Sequence, residues 1–410
     1  MSEDAALPLR PSRRSYPTID DVARAAGVSK GTVSHVLGGR VRVSAATRGR
    51  VDQAIAALNY CPAETARSLT ARKRPAESHQ RIDFSVPRLT TVGYVSVDYT
   101  ACLDRLPERE ERRLADQIVK SIGGPAANVA AIAAGIGQPF PVVASIITAI
   151  GLDQDSDWAV AELSHRRVDL IIPRERRSGR LNRALVLVEA NGRRTIVTEP
   201  SLLDAVDVQH FVETTDPSMT RWWLHLEGYQ VPAQIAAVVK ARAKGFKTSM
   251  QATGLPPEWL RAHGDQVFGS FDLIVLHRET LGQLPSMPGD VRSGLADLAA
   301  KARASGPHGP ELVIVTLGAD GAAAVTRDGA IIEARALPVD VVDTTGAGDS
   351  FVGSFLAAWL NDCPLPQALR LACAAGSLQV TRFGAQESRP SASELTRLVG
   401  GTLVSTHAHT

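Results

Sequence analysis

Residues 343–351 read Asp343-Thr344-Thr345-Gly346-Ala347-Gly348-Asp349-Ser350-Phe351. Phe351, Phe355 and Trp359 follow at helical spacing, so the pattern predicts that the Gly-Ala-Gly turn opens a helix with an apolar face. Backbone N–H groups at such a turn point toward one spot, and the helix N-terminus adds about half a positive charge. This arrangement suits a phosphoryl group that gathers negative charge during transfer.

Asp349 stands at the mouth of this turn, where its carboxylate could accept a proton from an alcohol. The alternative interpretation is that Asp349 merely caps a helix behind a glycine turn and has no chemical role. This stretch alone leaves both interpretations open.

Short apolar runs precede this stretch and alternate with Ala-rich helical segments. The runs lie at 92–97, 142–147, 169–172, 273–276 and 312–317. This alternation predicts an α/β fold, with a mostly parallel sheet and helices on both of its faces. Residues 184–198 read as a β-hairpin that turns at Asn191-Gly192, a pair typical of type I′ turns.

The first part of the chain differs in charge. Residues 1–81 contain 14 Lys/Arg against 7 Asp/Glu, whereas the remaining residues contain 31 against 36. A basic head on an acidic body indicates a polyanionic partner for the head. We expect five segments: a flexible N-terminus (1–16), a helical head (17–71), a polar, proline-marked linker (72–88), the larger domain (89–400) and a tail (401–410).

Three helix starts are marked in the head. Thr18 with Asp21 is similar to a capping box for a helix over 19–26 that Gly27 ends, and Ser29 and Ser44 each cap a further helix. The inward positions are Ile19, Val22, Ala26, Val33, Val36, Leu37, Val51, Ile55 and Leu58. Two short helices joined by a glycine turn are typical of a helix-turn-helix. On periodicity alone, a small helical bundle without a DNA role remains the alternative.

The compartment is predicted from three features. Cys61, Cys102, Cys363 and Cys373 form no metal or disulfide spacing. No apolar run approaches the roughly 20 residues of a membrane span, and no apolar core follows the N-terminal arginines to make a secretion signal. We therefore expect reduced thiols and a cytoplasmic protein.

The larger domain resembles the ribokinase-like (PfkB) carbohydrate kinases from about residue 90 to 398. The strings that carry the resemblance occur in the family's order: 92–98, 123–128, Gly151 with Asp153, Leu226-Glu227, 313–322, 343–351 and 381–388. The resemblance implies the ribokinase-like fold, in which 100–121 and 184–198 form a small β lid over the sugar. A lid that closes on substrate would exclude water from the transfer.

The resemblance also implies roles for single residues. Asp349 would take the proton of a sugar hydroxymethyl group, and the amides of Gly346, Ala347 and Gly348 would hold the phosphoryl group that comes from MgATP. The sugar-side residues are Ser96, Asp98, Gly123, Gly124, Asn128 and Glu227, and those on the ATP side are Thr316, Gly318, Gly321 and Glu279. Asp343 and Thr345, with backbone from 381–388, match a potassium-type cation site.

The chain departs from the family pattern after one strand. The family usually carries Asn-x-x-Glu there, which organises Mg²⁺ and phosphates, whereas this chain has His277 and Thr280. Glu279 is adjacent, but a one-residue shift turns a helical side chain by about 100°. Arg278 is the alternative phosphate clamp. Pro125 stands where ribokinases proper often have lysine, so ribose is not favoured as the sugar.

The head resembles the DNA-binding domain of the LacI family through 18–37, 43–51 and 58–69. The resemblance implies that Lys30, Gly31 and His35 lie where the family reads bases in the major groove. Ser29, Thr32 and Ser34 match positions that contact the phosphate backbone, and Leu69 matches a hinge-helix leucine that wedges into the minor groove. Gly31 offers a base no side chain and His35 lacks the guanidinium fork of arginine, so the operator is this chain's own. The family binds near-palindromes as dimers, which implies a homodimer.

Three functions fit these observations. The chain could be a transcriptional regulator with a working sugar kinase, a pure regulator whose kinase fold senses sugar or nucleotide, or a kinase with a vestigial head. Asp349 and its glycine turn favour the first, whereas His277 and Thr280 favour the second. The helix caps and Leu69 argue against the third.

Overall fold

The computed structural model describes residues 19–38, 44–58, 85–172, 179–190, 192–199, 206–281, 291–306, 309–382, 384 and 390–400. The chain divides into two compact units, Met1–Arg81 and Ile82–Thr410, which are described separately. Among the described residues, no helix combines the length and the apolar character that a membrane crossing requires.

The first unit contains three helices: α1 (Ile19–Ala26), α2 (Lys30–Gly38) and α3 (Ala45–Leu58). Gly27 ends α1 at a φ of 62°, as predicted for a left-handed stop. The core of the unit contains Val22, Ala26, Val33, Val36 and Val51. The predicted helices are therefore confirmed; Thr18 and the side chains of Ile19, Leu37, Ile55 and Leu58 lie outside the described residues.

The second unit is built on a nine-stranded sheet. In chain order its strands are β1 (Arg88–Val92), β4 (Val143–Ile147), β5 (Val168–Ile171), β8 (Trp222–Glu227), β9 (Lys247–Gln251), β10 (Leu273–His277), β11 (Leu312–Thr316), β12 (Ala322–Thr326) and β13 (Ile331–Ala334). Their spatial order is β13-β12-β11-β10-β9-β8-β1-β4-β5. All neighbours are parallel except the β11-β12 and β12-β13 pairs, which confirms the mostly parallel sheet.

Helices cover both faces of this sheet. They are α4 (Pro125–Ile136), α5 (Gln154–His165), α6 (Val208–Thr214), α7 (Val231–Ala243), α8 (Pro257–Ser270), α9 (Arg278–Leu281), α10 (Val291–Ser305), α11 (Ala347–Leu360), α12 (Leu365–Gln379) and α13 (Ala392–Leu398). One hydrophobic core joins one face to α6, α7, α8 and α10, and a second joins the other face to α4, α11, α12 and α13. The predicted layered α/β fold is thus confirmed.

A second, smaller sheet contains β2 (Ser96–Leu103), β3 (Gln117–Gly123), β6 (Asn182–Glu189) and β7 (Arg194–Thr198), in the order β3-β2-β6-β7. Lys120 and Arg183 of this sheet both form ion pairs with Asp155 of α5, at 2.9 and 2.6 Å. These pairs attach the small sheet to the body. The predicted lid regions therefore form one sheet, which also includes residues 96–99 at the start of β2.

Two local predictions were wrong in detail. The string 92–98, which resembles the family's first strand, spans parts of two strands, because the chain leaves the large sheet at Gly93 and enters the small sheet at Ser96. The hairpin connection is also not a two-residue type I′ turn. Val188 pairs with Arg194, Glu189 N–H donates to Arg193 C=O, and Gly192 has a φ of 79°. Asn191 lies outside the described residues, so only the register on either side of the turn is described.

Candidate functional site

The carboxyl ends of β1, β8, β9, β10 and β11 meet at one edge of the large sheet, together with the N-termini of α4 and α11. Parallel strands separated by crossover helices place their ends side by side, and open α/β sheets bind ligands at this edge. Most of the predicted site residues are brought together here by contacts between elements far apart in the chain.

Asp349 lies in the first turn of α11 and is buried, with 8% of its surface exposed. Its Oδ2 accepts a hydrogen bond from Asn128 Nδ2 at 2.7 Å, and its Oδ1 accepts one from Gln251 Nε2 at 2.9 Å. Burial raises the pKa of Asp349, whereas both amide donors lower it. Because each carboxylate oxygen has two lone pairs, both keep one for a substrate hydroxyl.

The glycine turn takes the predicted backbone form. Gly346 is the N-cap of α11 at a φ of 74°, and Ser350 N–H donates to its carbonyl at 2.8 Å. Ala347 N–H is directed at Thr344 C=O at 3.4 Å. The N–H groups of Gly348 and Asp349 belong to the first turn, where the helix itself supplies no acceptor. These two amides are therefore the strongest candidates for an anion-holding pair.

His277 ends β10 beside this turn, since a Cβ placed on Gly348 would lie 3.5 Å from His277 Cε1. Its Nε2 lies 3.0 Å from Thr253 Oγ1, and its Nδ1 lies 2.9 Å from Thr316 Oγ1. Desolvation lowers the pKa of His277 and so favours the neutral imidazole. The hydroxyl of Thr316, a residue predicted on the ATP side, therefore hydrogen-bonds to the imidazole and helps to fix its orientation.

The two residues directly after His277, Arg278 and Glu279, are exposed, whereas Thr280 is half-buried. Arg278 donates to Leu317 C=O at 2.9 Å and pairs with Asp320 in the turn that contains Gly318 and Gly321. The phosphate clamp considered for Arg278 is therefore a structural ion pair here, and Glu279 is the acid that remains exposed beside His277.

Gly318 and Gly321 of the predicted nucleotide-side turn both have positive φ, at 64° and 102°. A Cβ on Gly321 would lie 2.0 Å from Ala334 O, so only glycine fits between the turn and the end of β13. The turn after β11 therefore depends on its glycines for its backbone shape, whereas their contact with ATP stays a prediction.

On the sugar side, Asp98 accepts a hydrogen bond from Ser96 Oγ at 2.8 Å, and its carboxylate packs so closely on Gly123 that a Cβ there would collide. Desolvation raises the pKa of Asp98 to about 6. Gly124 has a φ of 102° and faces Tyr94 C=O, where a Cβ would also collide. Ser96, Asp98 and both glycines therefore form one cluster beside Asn128.

Glu227 has partners that the resemblance did not predict. It is fully buried, its Oε1 accepts from Tyr94 N–H at 3.0 Å, and its Oε2 accepts from Ala126 N–H at 3.2 Å. Desolvation raises the pKa of Glu227 to about 8. In the structure its carboxylate connects the end of β1 to the start of α4, and its role toward a sugar stays a prediction.

Sequence reasoning missed several residues at this edge: Tyr94, Arg194, Tyr229, Gln251, Thr253 and Gln379. Tyr94 and Tyr229 form an edge-to-face pair at 5.6 Å beside the sugar-side cluster. Gln251 ends β9, whose sequence Lys-Thr-Ser-Met-Gln is mostly polar, so no hydrophobic pattern marked this position. Arg194 begins β7 of the small sheet, where its Nη1 donates to Thr345 Oγ1 at 3.1 Å.

The two residues predicted for a cation site are joined to each other. Asp343 Oδ1 accepts from Thr345 N–H at 2.9 Å and from Thr345 Oγ1 at 2.6 Å. Asp343 Oδ2 accepts from Gly384 N–H at 3.0 Å. Within the described ranges, no group of three or more His, Cys, Asp or Glu side chains is arranged for a metal ion.

In the head, the start of α2 is capped as predicted. Ser29 Oγ accepts from Thr32 N–H at 3.1 Å and lies 2.9 Å from Thr32 Oγ1. Lys30 and Gly31 occupy the exposed first turn of α2. The side chains of Ser34 and His35, and the whole of Leu69, lie outside the described residues.

The fold and the site define a class: an α/β sugar-kinase-like domain, with a buried carboxylate at a glycine turn and a small β sheet attached to the body. Residues 86–392 match the family model of pfkB family carbohydrate kinases. Residues 18–63 match the model of bacterial regulatory proteins of the lacI family. The chain belongs to the pfkB family of carbohydrate kinases and carries a LacI-type DNA-binding domain at its amino end.

Three similar proteins match this chain over almost the whole of their own length. An ATP-dependent ribose-1-phosphate kinase of Halopiger xanaduensis is 30% identical over 308 residues, which are 74% of this chain and 95% of that kinase. A fructokinase of Klebsiella pneumoniae is 29% identical over 74% of this chain and 99% of its own length. The structure of Arabidopsis thaliana ribokinase with ribose and ATP has a TM-score of 0.60 at 22% identity, covering 77% of this chain and 100% of the ribokinase.

Proposed function

We propose that this protein is a transcriptional regulator that binds DNA through its head and phosphorylates a sugar hydroxymethyl group with MgATP in its larger domain. The observation that carries the kinase is Asp349, which two amide side chains orient at the start of α11. Both donors lower the pKa of Asp349 and so favour its ionised form, which is the form that can accept a proton. The relatives' names, which include ribose-1-phosphate and fructose kinases, support a sugar as the acceptor.

The proposed reaction is a direct transfer. Asp349 takes the proton of the sugar hydroxyl while that oxygen bonds to the γ-phosphorus of ATP, and the bond from the γ-phosphorus to the β-γ bridging oxygen breaks to release ADP. The first-turn amides of α11 hold the negative charge that develops on the phosphoryl oxygens. A general base of this kind contributes about 10²–10⁴ in rate.

Mg²⁺ would neutralise phosphate charge in this reaction, and the exposed carboxylate of Glu279 is the side chain available to hold it. Asp98 and Asn128 would bind the sugar, with Ser96, Gly123, Gly124 and Glu227 shaping its pocket. The turn with Gly318 and Gly321, together with Thr316, would contact the nucleotide. Closure of the small sheet would exclude water from the transfer.

For the head, we propose binding to an operator as a homodimer. Lys30, Gly31 and His35 would lie against base edges, Ser29, Thr32 and Ser34 against phosphates, and Leu69 in the minor groove. The polar stretch 72–88 would join head and body. Ligand binding in the body can change operator affinity only if the ligand prefers one of the two states of the protein.

A second candidate function is favoured by one observation. His277 replaces the residue that usually organises metal and phosphates, and its ring nitrogens are already paired with Thr253 and Thr316. A body that senses sugar or nucleotide without turnover would need no metal-organising pair. In this alternative the same pocket binds the ligand, and the bound ligand changes the affinity of the head for DNA.

The deciding experiment measures ADP release from MgATP with a panel of pentoses, hexoses and sugar phosphates. We expect sugar-dependent ADP release by the wild type, its loss in Asp349→Ala, and its retention in Asp265→Ala, a matched control whose exposed side chain pairs with Lys301 on α10. A wild-type rate equal to that of Asp349→Ala for every sugar would contradict the kinase. Thermal shifts with the same sugars would then support the sensor.

A further inference from the structure

Gln379 is the last residue of α12 and is completely buried. Its Nε2 donates one hydrogen bond to Thr345 C=O at 3.1 Å and another to Gly384 C=O. One amide nitrogen therefore connects the carbonyl that precedes the glycine turn to the carbonyl of a residue in the loop after α12.

These acceptors lie where the sequence predicted a potassium-type cation site. That site would be formed by Asp343, Thr345 and the backbone of 381–388. A monovalent cation there needs carbonyl and carboxylate oxygens with lone pairs directed at it. In the structure, Thr345 O and Gly384 O converge on one point. The amide nitrogen of Gln379 lies at that point and donates one hydrogen to each oxygen.

The Asp343 carboxylate also has most of its acceptor sites filled, and only Oδ2 keeps one lone pair. Its oxygens accept three hydrogen bonds, from Thr345 N–H, Thr345 Oγ1 and Gly384 N–H. The side of this cluster nearer the small sheet already has a cationic neighbour, because Arg194 donates to Thr345 Oγ1. Among the described residues, this donor and acceptor set does not fit a bound monovalent cation.

We propose that the side-chain amide of Gln379 replaces the monovalent cation and holds the loop before Gly346 in position without an ion. Gln379 is thus a positioning residue, which acts on the glycine turn through the Thr345 carbonyl. The effect on catalysis rests on the proposed kinase function, whereas the role of the Gln379 amide between Thr345 and Gly384 does not.

The reversed orientation of the amide makes the opposite prediction. If Oε1 faced Thr345 O and Gly384 O, three oxygens would converge, and only a cation between them could compensate their repulsion. The response of the protein to K⁺ therefore distinguishes an amide that replaces the ion from an amide that coordinates it.

The first experiment compares KCl with tetramethylammonium chloride at equal ionic strength, using the wild type, Gln379→Ala and the near-isosteric Gln379→Glu. We expect wild-type sugar-dependent ADP release to be the same in both salts. In tetramethylammonium, Gln379→Ala should release ADP about tenfold more slowly than the wild type, because it loses the buried hydrogen bonds of the amide. K⁺ should restore the rate of this variant. Gln379→Glu replaces the donor by an acceptor and should also become K⁺-dependent.

The second experiment measures the thermal unfolding midpoint in the same two salts and needs no catalysis. We expect K⁺ to raise the midpoint of the two Gln379 variants but not that of the wild type. The matched control is Gln234→Ala, another buried glutamine, whose amide donates to Val206 C=O. It should be destabilised equally in both salts.

Specific K⁺ activation or K⁺ stabilisation of the wild type would overturn the proposal. So would Gln379 variants that gain no K⁺ response in either measurement. If no sugar releases ADP, the kinase proposal fails, and the unfolding midpoints still decide the role of Gln379.

Discussion

Asn128 and Asp349 lie 221 positions apart in the chain, and the amide of the first donates to the carboxylate of the second at 2.7 Å. Asn128 is in the first turn of α4 and Asp349 in the first turn of α11, so the bond joins two helix N-termini at one edge of the sheet. The sequence predicted that Asn128 binds the sugar and that Asp349 accepts the proton of the sugar hydroxyl. Their contact shows that the residue expected to bind the sugar also orients the expected base.

The two amides that hold Asp349 should control its ionisation. Asn128 and Gln251 both lower the pKa of Asp349 against the opposing effect of burial. Replacing either by Ala should therefore raise this pKa, so the acidic limb of the kcat/KM profile should move to higher pH. Each lost bond should also slow turnover about tenfold near that limb.

The measurement is a pH–rate profile between pH 5 and 9 for both variants. The matched control is Asn361→Ala, whose amide donates to Pro141 and Ala357 carbonyls at the far end of α11. An unshifted limb in both Asp349-side variants would show that these amides do not orient the base.

Sugar binding should depend on pH through Asp98. Its pKa is about 6, raised by desolvation, and the ionised carboxylate accepts stronger hydrogen bonds from sugar hydroxyls than the protonated acid does. Below pH 6 the fraction of ionised Asp98 falls, so KM for the sugar should rise by up to about tenfold for each further pH unit. Above pH 7 the KM should be constant.

Initial rates at several sugar concentrations, from pH 4.5 to 8, check this dependence. Asp98→Asn should have a high KM that no longer changes with pH over this range. A wild-type KM that is flat down to pH 4.5 would remove Asp98 from the sugar site.

Arg194 should assist transfer from the small sheet. Its guanidinium bonds to Thr345 one residue before the glycine turn, and its charge lowers the pKa of Asp349. Arg194→Ala removes both effects, so we expect kcat/KM to fall about tenfold and the acidic limb to move to higher pH. Arg194→Lys keeps the charge and should recover part of the rate.

Arg193→Ala is the neighbouring control and should leave the pH profile unchanged. If Arg194→Ala and Arg193→Ala have the same kinetics, the contact between the small sheet and Thr345 has no role in transfer.

The head offers a matched pair of helix caps. Ser29 accepts from Thr32 N–H at 3.1 Å, and Ser44 accepts from Thr47 N–H at 3.2 Å. Replacing either by Ala should cost the head about 1 kcal/mol of stability. Only Ser29 occupies a predicted phosphate-contacting position, so Ser29→Ala should weaken DNA binding more than Ser44→Ala. The salt dependence should stay the same, because the serine hydroxyl carries no charge.

Fluorescence anisotropy with a duplex selected from a random pool, at several salt concentrations, measures the DNA affinity of the full chain. Circular dichroism at 222 nm follows unfolding of the helices. Equal losses of DNA affinity in the two variants would mean that Ser29 acts only as a cap.

The sequence by itself determined the local features of this protein. The caps at Ser29 and Ser44, the stop at Gly27 and the glycine turn before α11 each depend on a few neighbouring residues, so their patterns are readable along the chain. The strings that resemble the family also located several strands along the chain, because each string lies at a strand end or a helix start.

Only the tertiary structure decided which side chains meet at the site. Gln251 lies 98 positions from Asp349, and Arg194 lies 151 positions from Thr345. Such contacts leave no periodic pattern, because long crossover connections in a parallel sheet bring the strand ends together. For the same reason, the sequence matched Asp343 and Thr345 to a cation site, whereas the fold places the amide of Gln379 between the carbonyls of Thr345 and Gly384.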